Sequence, residues 1–128
     1  MAHKPITKAE ARKALQWAGK LLGLDAWTVE LIISDTPPAE FREAADTANS
    51  TLGMVSRSPS YKTATIWISP AKCKADGSSP ISCLMHEMMH IACAEAELSP
   101  DNGTLERVEF LWNRLGDALA DLYKAKKR

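Results

Sequence analysis

The chain shows no excess of either charge: 16 Lys plus Arg stand against 16 Asp plus Glu in 128 residues. This removes the global electrostatic pull on which nucleic-acid and membrane-surface binders rely. Its only charge run, Lys124-Ala125-Lys126-Lys127-Arg128, reads as a solvated tail after a helix, so neither nucleic acid nor membrane is an expected partner. Long hydrophobic runs are also missing. No stretch reaches the roughly 18 to 20 apolar residues that span a bilayer, and Met1 to Glu10 lacks the apolar core of a secretory signal. Cysteines are few and odd in number: Cys73, Cys83 and Cys93 form no CxxC pair. That argues against a disulfide framework and for a reducing compartment, with the cytoplasm as the expected address.

What is present suits one ordinary globular unit. A hydrophobic fraction of 45% with 25% charged residues can bury a core without staples, and the length leaves no room for a second one, so residues 1–128 read as a single domain. Residues 7–22 predict a helix, with Thr7 as N-cap, Glu10 at capping-box spacing, and Ala11, Ala14, Leu15, Ala18, Leu21 and Leu22 recurring along one face. Gly23 stops it. Trp27 to Ser34 reads as a strand, ended by Asp35-Thr36-Pro37-Pro38. Residues 39–50 are open between a half-helix and a loop.

Leu52 to Arg57 and Tyr61 to Ser69 predict two more strands, joined across Ser58-Pro59-Ser60. In the second, Thr63, Thr65 and Trp67 alternate with Ala64, Ile66 and Ile68. Ala71 to Ser79 reads as a polar connector with a turn at Asp76-Gly77. A helix is then expected from Pro80 to Glu97, with Ser79 as N-cap and Pro80 at its first position. A last helix, starting at Asn102 or Thr104, runs to about Lys124, with Leu105, Val108, Trp112, Leu115, Leu119 and Leu122 as its apolar stripe. The class is α+β, helices segregated from one small sheet of about three strands.

The chemistry sits in His86-Glu87-Met88-Met89-His90, an HExxH motif inside the helix expected from Pro80 to Glu97. Positions four apart share one helix face, so both imidazoles can reach one metal ion. Glu87 projects beside them, where it can hold a water and take its proton. Cys83, His86, His90 and Cys93 fall on one stripe, and apolar residues cover nearly all the rest, so the helix is expected to be buried. Two histidines and an acid are costly in a core unless satisfied. Cys83 or Cys93 could serve as a soft ligand, although a cysteine within an apolar helix is ordinarily a small hydrophobe. Trp17, Trp27, Trp67 and Trp112 read as core or cleft lining.

HExxH in a buried helix, preceded by a strand such as Ala64-Thr65-Ile66-Trp67-Ile68 and followed by another helix, resembles the zincin metallopeptidases. The short format is similar to the minimal gluzincin-like proteins of small microbial and prophage-encoded families. The resemblance covers residues 27–123 and implies Zn²⁺ as cofactor, a peptide or protein as substrate, and a rim strand on which an extended substrate docks. It also implies a third ligand. The metzincin extension is absent, since Cys93 stands where its glycine would be and no third histidine follows. Gluzincins use a Glu on the next helix, and Glu106 and Glu109 are the candidates. Glu109 adjoins Leu105, Val108 and Trp112 on the stripe facing the active-site helix, whereas Glu106 falls nearly opposite, so Glu109 is chosen. An oxyanion donor could be Tyr61 or Tyr123, and partners for the free imidazole N–H groups could be Asn113, Asp117 or Asp121.

These readings lead to one expectation and one alternative. The expectation is a monomeric, zinc-dependent peptidase with His86, His90 and Glu109 as metal ligands, Glu87 as general base, and Tyr61–Ser69 as the rim strand. The alternative is a zinc-stabilised binding or regulatory module without turnover, which a fourth protein ligand from Cys83 or Cys93 would favour.

Overall fold

The structure is a computed structural model that describes residues 6–42, 52–93 and 102–126; in the last stretch side chains are described at Glu109 and from Leu111 on. Helix α1 (Lys8–Leu21) starts where the Thr7 hydroxyl accepts the Glu10 N–H at 3.1 Å. This bond satisfies one of the N–H groups that the first turn leaves without a helical partner. Ala11, Ala14 and Ala18 bury its inner face. Gly23, at φ +73°, adopts the left-handed conformation just past the helix end, which costs other residues a steric penalty.

Three strands follow: β1 (Thr28–Ile33), β2 (Gly53–Ser58) and β3 (Thr63–Ile68). Their order in the sheet is β1-β3-β2, with β3 parallel to β1 and antiparallel to β2. This corrects the expectation that Tyr61–Ser69 forms the rim. β3 is central and its backbone is paired on both sides, so it has nothing left to offer a substrate strand. Among the described residues the edge strands of the sheet are β1 and β2.

Each face of the sheet has its own cover. Leu31, Ala64, Ile66 and Ile68 face the helices and join the main core. On the other face Trp67 is fully buried under Phe41, ring centroids 6.4 Å apart, and its indole N–H donates to the Ser34 carbonyl at 2.8 Å. Phe41 comes from the segment left ambiguous by sequence: residues 39–42 are helical, and 43–50 lie outside the described residues.

The expected polar connector is instead a helix, α2 (Pro70–Asp76). Ser69 caps its start through the Lys72 N–H, Pro70 takes the first turn, and Gly77 closes it at φ +76°. Only Cys73 is buried in it, so it has no apolar stripe for periodicity to register.

Helix α3 (Pro80–Ala92) is the centre of the domain. Ser79 caps it by accepting the Ile81 N–H at 3.2 Å, and Pro80 occupies the first turn as expected. Leu84, Met85, Met88 and Ile91 are buried almost completely. The helix ends at Ala92 with Cys93 as its C-cap, short of the expected Glu97, and residues 94–101 lie outside the described residues. Helix α4 (Asn102–Lys126) packs along α3. Its buried face is Trp112, Gly116, Ala120 and Tyr123. Leu115 and Leu122, assigned to that face by their spacing, are 38% and 57% exposed. The fold is therefore α+β. Among the described residues no helix is long and apolar enough to cross a membrane.

Candidate metal centre

α3 carries the motif through the middle of the core and turns one side toward β2 and α4. One turn separates His86 from His90, and their rings stand edge to face with centroids 5.0 Å apart. Both present Nε2 to the same point, 3.3 Å from each other. From α4, Glu109 reaches across with one oxygen to each ring: Oε2 lies 3.0 Å from His86 Nε2 and Oε1 lies 2.9 Å from His90 Nε2. The phase argument that chose Glu109 over Glu106 is met by this geometry, while the Glu106 side chain lies outside the described residues.

The three ligand atoms lie within 4.8 Å of one another and can hold a metal ion. Two nitrogens bound at about 2.0–2.1 Å in a tetrahedron stand roughly 3.3–3.4 Å apart. The observed Nε2···Nε2 separation matches that spacing, and Glu109 closes the third corner. The residues fit a divalent ion. His86 Nδ1 is buried with no hydrogen-bond partner among the described residues. A ring that ligates through Nε2 carries its proton on Nδ1, where a buried N–H calls for an acceptor.

Without a metal, the same atoms form hydrogen bonds instead. Hydrogen bonds from His86 first, and then from His90, hold the Glu109 carboxyl far below the usual carboxylate range, against the opposing effect of burial. Glu109 is thus an anion at any pH at which the histidines could bind a metal. Glu87 is 7% exposed, and its Oε1 lies 3.9 Å from His86 Nε2, beside the ligands and outside the converging group.

Cys83 does not join the cluster. Its Sγ lies 3.2 Å from Cys73 Sγ of α2, and the hydrogen bond between the two thiols, together with burial, pushes its thiol far up. It is a buried partner of Cys73, and Cys93 is half-buried.

The site opens into a cleft of about 780 Å³. Its walls include Leu52, Gly53 to Val55 of β2, Ser82 and Cys83 of α3, and Asn113 and Asp117 of α4. Two of the three residues suggested as imidazole partners, Asn113 and Asp117, therefore line the cleft; Asp121 does not. Neither tyrosine suggested as an oxyanion donor does so. Tyr61 is 82% exposed on the β2–β3 turn, and Tyr123 is buried against Trp17 at a centroid distance of 5.4 Å.

Sequence reasoning missed Gly116. A Cβ placed there would lie 2.9 Å from the His86 backbone nitrogen and 3.2 Å from the Ser82 carbonyl oxygen. Only glycine lets α4 approach the α3 backbone this closely, and that approach brings Glu109 within reach two turns earlier. The available signal was a glycine in a helix interior, which costs about 1 kcal/mol against alanine and is tolerated there for a packing reason.

No protein-family model matches the chain, and neither a curated protein nor a solved structure does. The site itself defines the class: an α+β domain with a His-Glu-His group able to bind a metal at the floor of an open cleft.

Proposed function

We propose that this chain is a zinc-dependent metallopeptidase of zincin type, with His86, His90 and Glu109 as zinc ligands and Glu87 as general base. The observation that carries the reading is the convergence of His86 Nε2, His90 Nε2 and the Glu109 carboxylate on one point, with Glu87 beside them. Two imidazoles and one carboxylate are a donor set suited to zinc, and three protein ligands are the number that leaves a position open for chemistry. When bound, zinc supplies Lewis acidity, polarising a carbonyl and lowering the pKa of water toward about 7.

The chain's own residues supply the rest. Glu87, fixed in the buried helix, is positioned to accept a proton at Oε1 and return it to a leaving amine. The β2 edge supports a peptide as substrate. Met54 and Ser56 turn their backbone groups to β3 in the alternation set by the Leu52–Ser69 hydrogen bond, so Gly53 and Val55 turn theirs to the free edge along the cleft. An extended peptide can add there as a further strand. The free thiols of Cys73, Cys83 and Cys93 support a reducing compartment, and we place the protein in the cytoplasm.

The alternative of a non-catalytic zinc module would be favoured by a fourth protein ligand. The pairing of Cys83 with Cys73 weighs against it.

The test is metal analysis of protein purified without added zinc, followed by two variants assayed on a peptide library. Stoichiometric zinc is expected in the parent and in Glu87→Gln, with hydrolysis lost in Glu87→Gln. His86→Ala should lose both metal and activity. Full activity in Glu87→Gln would remove the base assignment, and metal-free parent protein would remove the reading altogether.

A further inference from the structure

Among the described residues, the exposed leucines of α4 share one line. Leu111, Leu115 and Leu122 are 47%, 38% and 57% exposed, and Ala118 between them is exposed too. Their spacing of four, three and four residues is the a/d repeat of a helix–helix seam. At 100° per residue they fall within an arc of about 60°, on the side of α4 opposite Glu109, Gly116 and Ala120. Single exposed leucines on a soluble domain carry no message, whereas a continuous stripe of them does.

The residues flanking the stripe say what covers it. Arg114 and Asp121 border the same side of the seam, two turns apart and opposite in charge. A two-fold axis across α4 sets this flank against its own copy running the other way. Arg114 of one chain then stands beside Asp121 of the second copy, and the reverse pair forms on the other side of the axis. Arg114 already has an interaction within its own chain, and the second copy adds the Asp121 carboxylate beside it.

Packing selects the same direction. Antiparallel helices set Leu115 against Ala118 and Leu111 against Leu122, so large meets small in the two central layers. Parallel helices would set Ala118 against Ala118 and leave a gap there.

We propose that the protein forms a symmetric antiparallel dimer through Leu111, Leu115, Ala118 and Leu122 of α4, with Arg114–Asp121 pairs between copies. The metal-ligand face of α4 points away from the seam, so the cleft stays open in the dimer, and the proposal stands apart from the reading of the metal site. Four layers over about 16 Å of helix make a small interface. Dissociation is therefore expected in the range of roughly 10–1000 µM.

Sedimentation equilibrium of the full chain across that range is the test. The mass should rise from 14.0 kDa toward twice that value with concentration. Leu115→Lys, a surface change that leaves the circular dichroism spectrum intact, should weaken association by about tenfold or more. Arg114→Asp should weaken it as well, and combining it with Asp121→Arg should restore it. A chain that stays monomeric throughout overturns the proposal, and so does a dimer indifferent to Leu115→Lys. Failure of the double charge reversal to restore association overturns the antiparallel register.

Discussion

Replacing Gly116 by alanine adds one methyl group at the closest point between α3 and α4. That methyl would sit 2.9 Å from His86 N, 3.2 Å from His86 Cα and 3.2 Å from the Ser82 oxygen. All three are backbone atoms of a buried helix and cannot swing aside. Relief to ordinary contact near 3.5–4.0 Å requires α4 to back away by roughly half an ångström or more. Overpacking of this kind costs about 1–3 kcal/mol, while the better helix propensity of alanine returns about 1 kcal/mol. The fold should survive with a small net loss. The metal site should not survive intact, because Glu109 lies about 10 Å along the same rigid helix and moves with it. Supporting shifts of this size typically weaken a metal site by about 10–100-fold. Competition against a chromophoric chelator measures that loss, and thermal melting of metal-free protein measures the stability change. Gly19→Ala is the control. Its methyl meets only the Met88 Cε, at 3.9 Å, so it should stabilise α1 by about 0.5–1 kcal/mol and leave metal affinity alone. A Gly116→Ala protein that folds and binds zinc as tightly as the parent would refute the claim that this close approach positions Glu109.

Glu109 also predicts a pH dependence. Its carboxyl is held low in the folded chain, so its contribution to stability is present above the unfolded value of about 4.3 and is lost as pH falls. In metal-free protein, Glu109→Gln should melt below the parent at neutral pH, and the gap should narrow steadily once pH drops under about 4. An unchanged gap down to about pH 3 would exclude this linkage. Trp67→Phe removes the donor to Ser34 and leaves space in the small cluster with Phe41, which should cost about 1–3 kcal/mol in urea unfolding. Gly53→Ala would set a methyl 2.7 Å from the Trp67 carbonyl oxygen. It should therefore destabilise the β2–β3 pairing by about 1–3 kcal/mol, visible as lost amide protection along β2 in hydrogen exchange.

The parts of the fold legible in the sequence were those whose signals are local. Thr7 and Ser79 announced the starts of α1 and α3, and the alternation in Thr63–Ile68 announced β3. The order of the strands was not legible, because it depends on which segments meet across the chain. Ala64-Thr65-Ile66-Trp67-Ile68 reads as apolar on both faces at its end, which is the mark of a strand buried from both sides. The same residues could not say that β1 would pair with them in parallel on one side and β2 in antiparallel fashion on the other. α2 was missed for another reason. Ser69-Pro70 and Gly77 are good start and stop signals, but Cys73 is the only residue between them that the helix buries.

At the candidate metal site the sequence led to Glu109, which the structure brings to His86 and His90, through a stripe that was partly wrong. Glu109 was chosen because it adjoined an apolar stripe running to Leu122, yet Leu115 and Leu122 point outward, and Trp112, Gly116, Ala120 and Tyr123 face the core. Hydrophobic periodicity assumes that the inner face of a helix carries the larger apolar side chains. That assumption fails where two helices approach so closely that only hydrogen or a methyl fits between them. Gly116 and Ala120 are nearly silent on any hydropathy scale, while the leucines displaced to the outside are its loudest signal. The same close contact thus accounts for the carboxylate that reaches His86 and His90, for the misread face of α4, and for the line of leucines left on its outer side.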